Sequence, residues 1–173
     1  PEGKDGPLVR TVESYVQYYK RWAENWEFQA LLKARPIAGS AQLGARYARA
    51  IDPFVWESAA RESFVESVQA MRARVTDNIP SNQVDRQIKL GPGGLRDIEF
   101  TVQLLQLVHG RTDPAVRTKS TVDSLAALTA VSYISRTDAE AFSRDYKKLR
   151  VLEHRIQLQQ LRRTHLMPEK DAE

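Results

Sequence analysis

The sequence predicts an all-α fold, a helical bundle, on three observations. Apolar residues follow helical spacing nearly throughout. The segments open at Ser, Thr or Asp and stop at Gly- or Pro-containing breaks. The longest stripe, Phe142, Tyr146, Leu149, Leu152 and Ile156, steps by 4, 3, 3 and 4, as one face of an amphipathic helix requires.

The elements follow in order. Thr11 is placed to N-cap a helix through Tyr15, Tyr18, Tyr19, Trp22 and Trp26 towards Leu32. Residues 35–39, Arg-Pro-Ile-Ala-Gly, break it and read as a short extended piece. Ser40 starts a second helix to about Ile51, and Pro53 suits the first turn of another. Phe64, Val68, Met71 and Val75 carry that stripe to about Val75 or Asp77. Residues 78–88 are polar and turn-rich, which predicts an exposed, mobile loop. A helix of 16 to 18 residues then ends near His109-Gly110. A shorter one runs from Ser120 or Thr121 to about Val131, and the longest from Thr137 or Asp138 to about Arg163.

Composition narrows the function. The 173 residues can bury one good core, and 42% hydrophobic with 28% charged residues is ordinary for a soluble protein. No apolar run approaches the ~20 residues of a membrane span. Pro1-Glu2-Gly3-Lys4-Asp5-Gly6 does not read as a secretory leader. Zero cysteines exclude disulfides and thiolate metal sites, so the expected compartment is the cytoplasm. His109, His154 and His165 are scattered and make no metal cluster. The net charge of +4 gathers late: Arg144, Lys147, Lys148, Arg150, Arg155, Arg162 and Arg163 face only Asp145 and Glu153. That pattern suits the solvated face of a long helix better than a nucleic-acid surface.

Residues 89–100, Lys-Leu-Gly-Pro-Gly-Gly-Leu-Arg-Asp-Ile-Glu-Phe, carry the most chemistry. A glycine-rich turn opening a helix leaves N–H groups free beside the positive end of the helix dipole, which suits a phosphate. Along the helix, Leu95, Ile98, Val102 and Leu105 fall on one side, and Phe100, Leu104, Leu107 and Val108 on another. Between them lies one polar stripe: Arg96, Glu99, Gln103 and Gln106. A helix apolar on two sides is central, and a polar stripe on it must meet a cleft or hydrogen-bonding partners. The first-turn position of Asp97 favours its negative charge. Two readings stand. In one, Lys89, Gly93, Gly94 and Arg96 meet a phosphorylated group, with Asp97 or Glu99 orienting them. In the other, Arg96, Asp97 and Glu99 are internal ion-pair partners at a helix junction.

Other patterns are weaker. Gly39-Ser40 imitates the Gly-Ser of polymerase-β-type nucleotidyltransferases. The following Asp52 has Phe54 where a second carboxylate is needed, so no metal pair forms. Glu57, Glu62 and Glu66 read as solvated, and His154 as a packed, hydrogen-bonded residue. The spacing of Tyr15, Tyr18, Tyr19, Trp22 and Trp26 suits packing better than base stacking.

Several segments together resemble one family, the bifunctional glutamine synthetase adenylyltransferase/adenylyl-removing enzymes. Residues 1–9 resemble the stretch after the last catalytic strand of its nucleotidyltransferase domain. Residues 26–39 (Trp-Glu-Phe-Gln-Ala-Leu-Leu-Lys-Ala-Arg-Pro-Ile-Ala-Gly) resemble that domain's tail, and residues 89–100 the family motif. Leu152-Glu153-His154-Arg155-Ile156-Gln157 and Thr164-His165-Leu166-Met167-Pro168 resemble the end of the following helical domain.

The resemblance implies residues 1–39 as the trailing part of a nucleotidyltransferase domain, and 40–173 as a helical domain akin to that of PII uridylyltransferase. The last two segments point to the N-terminal half, which removes AMP from a tyrosine of glutamine synthetase by phosphorolysis, releasing ADP. The implied partners are adenylylated glutamine synthetase, a PII-type signal protein, and ATP, ADP and phosphate through the catalytic domain. Neither membrane nor nucleic acid is an expected partner. The family's Gly-Ser and Asp-x-Asp motifs are absent here, so the expectation is a fragment of a Mg²⁺-dependent enzyme that neither binds the metal nor catalyses alone.

Overall fold

A computed structural model of the chain describes residues 6, 7 and 9–169. Residues 1–5 and Leu8, in the first segment compared above, and the last four residues of the expected helical domain lie outside the described residues. The described residues form α1 (Val12–Arg21), α2 (Asn25–Leu31), α3 (Ala41–Glu57), α4 (Phe64–Asp77), α5 (Leu95–Gly110), α6 (Thr121–Ala130) and α7 (Arg136–Gln160), with short 3-10 turns between them. The all-α prediction holds: among the described residues, pairing of extended backbone is confined to an isolated bridge between Gln87 and Leu166.

Local sequence sets most of the helix starts. The side chains of Thr11, Ser40, Ser120 and Ser135 each accept a hydrogen bond from the backbone N–H three residues on, capping α1, α3, α6 and α7. Two expectations need correction. The helix from Thr11 does not run on to Leu32. It stops at Arg21 because Glu24 and Glu27 form a capping box that opens α2. Pro53 does not begin a helix but lies within α3, with both it and Arg49, four residues back, exposed. On that face the carbonyl that proline leaves without an intrahelical partner meets solvent instead of a core.

Helix α5 is central, as its two apolar sides predict. Phe100, Leu104 and Leu107 pack with Tyr19, Phe28, Val55 and Phe64 of α1–α4 and with Leu32, which caps the end of α2. Ile98, Val102 and Leu105 pack with Leu125, Leu128, Ala139 and Tyr146 of α6 and α7. Tyr15, Tyr18 and Tyr19 pack ring against ring, as their spacing predicts. Trp22 and Trp26 do not join them: Trp22 is 73% exposed and Trp26 38%. His154 is exposed instead of packed, and Glu57, Glu62 and Glu66 are solvated as expected.

The segment 78–88 is not an open loop. Residues Ser81–Arg86 form a 3-10 helix, and Gln83, Val84 and residues 86–88 are half-buried. The cause is remote in sequence. Ile88 donates to the His165 carbonyl (3.1 Å) and Met167 to the Arg86 carbonyl (2.9 Å), closing the chain after α7 onto this segment.

Candidate functional site

The glycine turn satisfies its own donors. Gly94 N–H donates to Gly91 O, Leu95 N–H to Ile88 O, Arg96 N–H to Lys89 O and Asp97 N–H to Gly94 O, all at 3.0–3.1 Å. The Gly93 N–H donates to Asp97 Oδ2 at 2.7 Å. Asp97 also pairs with Arg72 of α4, whose Nη2 reaches the Gly91 carbonyl at 3.2 Å. The N–H groups that the phosphate reading assigns to Gly93 and Gly94 are thus engaged within the chain. Sterics account for the glycines. A Cβ on Gly91 would sit 2.5 Å from the Gln87 carbonyl oxygen, and one on Gly94 2.8 Å from that of Ile88. Gly93 has φ +70°, the left-handed region that glycine enters without strain.

The polar stripe of α5 meets partners on three elements. Gln103 accepts from Gln29 Nε2 of α2 at 2.9 Å. Gln106, fully buried, donates to the carbonyls of Val116 (2.7 Å) and Thr118 (2.9 Å). Glu99 is 7% exposed and accepts from Arg150 Nη2 (2.6 Å) and the Tyr146 hydroxyl (3.2 Å) of α7. Arg96 stands 3.6 Å from its other oxygen and lies over the Phe100 ring.

Arg150 joins this stripe to a second buried carboxylate. Its Nη1 donates to Glu153 Oε2 at 2.6 Å, and Lys89 Nζ and His165 Nδ1 each lie 3.1 Å from Glu153 Oε1. Burial works to raise the Glu153 pKa, but hydrogen bonds from Arg150 and Lys89 outweigh it and hold the carboxyl below its ordinary value. Burial lowers the His165 pKa, and the Lys89 charge adds to that.

Beside Glu99 opens a cleft of about 590 Å³, lined from α2 by Trp26 and Gln29, from the turn after it by Lys33, from α5 by Arg96, Glu99 and Gln103, and from α7 by Tyr146 and Arg150. Lys119, just before α6, closes one side. Four cations therefore face one carboxylate. Lys33 Nζ donates to the Lys119 carbonyl (2.8 Å) and Thr121 Oγ1 (2.9 Å). Burial depresses the Lys33 pKa; Glu99 pulls it back up, and Arg150 and Lys119 push it further down.

Of the six residues singled out from sequence, Arg96 and Glu99 reach this cleft. Lys89 joins it only through Glu153 and Arg150, and Gly93, Gly94 and Asp97 do not line it. Sequence reading missed Lys33, Lys119 and Tyr146 as site residues, and placed Arg150 on a solvated face. A signal was present. At 100° per residue, Tyr146, Arg150 and Glu153 fall within an arc of about 60° at the edge of the apolar stripe of α7.

Known proteins bear on this arrangement. A family profile described as "Glutamate-ammonia ligase adenylyltransferase" matches residues 1–50. Proteins named bifunctional glutamine synthetase adenylyltransferase/adenylyl-removing enzyme match the whole chain, at 65% identity in Leifsonia xyli, 61% in Streptomyces coelicolor and 58% in Mycobacterium tuberculosis. The chain spans 17% of the length of each. A second profile, described as "GlnD PII-uridylyltransferase", matches residues 65–173, more than half of the chain. The chain therefore belongs to the family that this profile describes, with the adenylyltransferase/adenylyl-removing enzymes as relatives along its entire length.

Proposed function

We propose that the chain is the helical part of an enzyme that reversibly adenylylates glutamine synthetase, from the half that removes AMP by phosphorolysis and releases ADP. The observation that carries this is Arg96 at the cationic cleft, on the helix opened by the family-like motif, in a chain 58–65% identical to such enzymes throughout. In this reading residues 1–39 trail from the nucleotidyltransferase domain and 40–173 form the helical domain, although α1 and α2 pack into the same core as α3 and α4. The whole protein acts in the cytoplasm with ATP, ADP and phosphate, under a PII-type signal protein. The chain alone does not catalyse.

Its reaction uses Mg²⁺, but the described residues do not fit that ion. They hold no cluster of three carboxylate or histidine side chains, and Glu99 and Glu153 are both spanned by Arg150. The carboxylates for the metal belong to the nucleotidyltransferase domain. What this chain contributes is positive charge and fixed geometry beside the phosphate.

Arg96→Ala in the full-length protein tests the reading. Phosphate-dependent removal of AMP should fall at least tenfold while the melting temperature holds. Unchanged activity, or a loss that tracks unfolding, refutes it. A second reading makes the chain a docking module for glutamine synthetase or a PII protein. Its observation is the exposed strip of α7 that carries Lys147, Lys148, Val151 and Arg155. Reversing Lys147, Lys148 and Arg155 to Glu should then abolish capture of those partners and spare phosphorolysis of a small adenylylated substrate.

A further inference from the structure

We propose that the cleft between α2, α5 and α7 binds a phosphomonoester, with Lys33, Arg96 and Lys119 as its donors. The inference rests on the reading that Arg96 faces a phosphorylated group and adds the two lysines as its partners. Donor accounting selects these three. Arg150 is committed: Nε to Tyr146, Nη1 to Glu153 and Nη2 to Glu99 and Tyr146. It contributes field and holds Glu99 in place. Among the described residues, the polar contact of the Arg96 guanidinium is a 3.6 Å approach to Glu99, beside its position over the Phe100 ring. Lys33 gives two of its three N–H groups to neutral oxygens and, among the described residues, meets no carboxylate within ion-pair distance.

Charge points to a dianion. With Lys89 included, five cations share two carboxylates, and four of those cations, Lys33, Lys89, Arg96 and Arg150, are partly buried. Half-buried positive charge in excess of its carboxylates is costly, and a phosphate dianion would offset most of that excess. Shape points to an ester. The cleft is far larger than a phosphate ion, and Trp26, Met71 and Phe100 line the remainder. An aromatic and apolar wall beside a cationic one matches a flat ring carried on a phosphate.

Calorimetric titration of this chain with AMP, inorganic phosphate and adenosine tests the proposal. AMP is expected to bind saturably, phosphate to compete with it, and adenosine to give no saturable heat. Phosphate binding as tightly as AMP would support the site and identify the free ion as its occupant. Lys33→Met should weaken binding at least tenfold, and Lys33→Arg should restore most of it. Lys119→Met, at an exposed position that leaves the fold intact, should weaken it several-fold. No saturable binding of AMP or phosphate up to about 10 mM overturns the proposal. So does binding that is indifferent to both lysine substitutions in folded protein. Loss of binding in Lys33→Met with normal turnover in the full-length Arg96→Ala protein would sink the enzymatic reading and leave the site.

Discussion

The two ends of one polar stretch behave in opposite ways. The turn before α5 is rich in donors, yet Gly93, Gly94, Leu95, Arg96 and Asp97 all give their N–H groups to the chain itself. Less than two turns further on, the cleft beside Glu99 gathers more cations than its carboxylate can match. The glycine motif has the pattern of an anion site, and its N–H groups bond within the chain as those of a structural joint do. The ordinary helix surface beyond it holds the excess charge. A site is marked less by how many donors a motif offers than by how many the fold leaves without partners.

The sharpest way to break this contrast is at Glu153, which ties the turn to the cleft through Lys89 and Arg150. It is 2% exposed and meets Lys89, Arg150 and His165 together. Removing one member of a buried charged network leaves the others uncompensated, at about 3–5 kcal/mol. Glu153→Ala should destabilise the chain by that order in urea unfolding. A loss below about 1 kcal/mol would make the network equivalent to a solvated surface pair and remove the link between joint and cleft.

The joint itself is tested next. Gly91→Ala drives a Cβ into the carbonyls of Gln87 and Val84, both backbone, so only backbone movement relieves it. About 1–3 kcal/mol is expected from such overpacking. Gly93→Ala has open space and meets only the left-handed backbone penalty, about 1–2 kcal/mol. Neither substitution should change AMP or phosphate binding by more than twofold in folded protein. If Gly93→Ala weakens binding tenfold without unfolding, the turn is part of the site after all.

What could be read from sequence follows from how local each cause is. The bounds of α5 and α6 and the start of α7 were legible because caps, breaks and apolar spacing lie within the segments themselves, whereas α7 ends at Gln160, three residues before the expected Arg163. The 78–88 segment was not, because its order comes from residues 165–167. Pro53 misled because its place inside α3 depends on which face is exposed. In the site, Arg96 and Glu99 were legible as charges on a helix with two apolar sides. Lys33 and Lys119 are single cations in ordinary polar surroundings, and only the tertiary fold brings them together. Arg150 was visible but averaged into a charged helix, although its angle from Tyr146 placed it at the edge of the packed side.

The smallest expected effect concerns the closure of residues 165–167 on the turn. Folding lowers the His165 pKa from its ordinary 6.5, through burial and then the Lys89 charge, with Glu153 opposing and Arg163 and Arg150 adding to the fall. The unfolded chain therefore binds this proton more readily than the folded one. Stability from His165 is complete above pH 6.5 and declines as pH drops through 6.5 towards the lower folded value. Glu153 acts in a separate window. Its folded pKa lies below 4.5, so its contribution is present above 4.5 and is lost only as pH falls through that folded value. Melting temperature measured from about pH 5 to 7.5 should fall with acid in the natural chain, and less steeply in His165→Gln. His109 and His154 are common to both proteins, so the difference in slope belongs to His165. Parallel slopes would mean that its imidazole keeps ordinary proton affinity. The segment after α7 would then not be closed on Glu153, and the joint would lack the outer wall that the contrast with the cleft assigns to it.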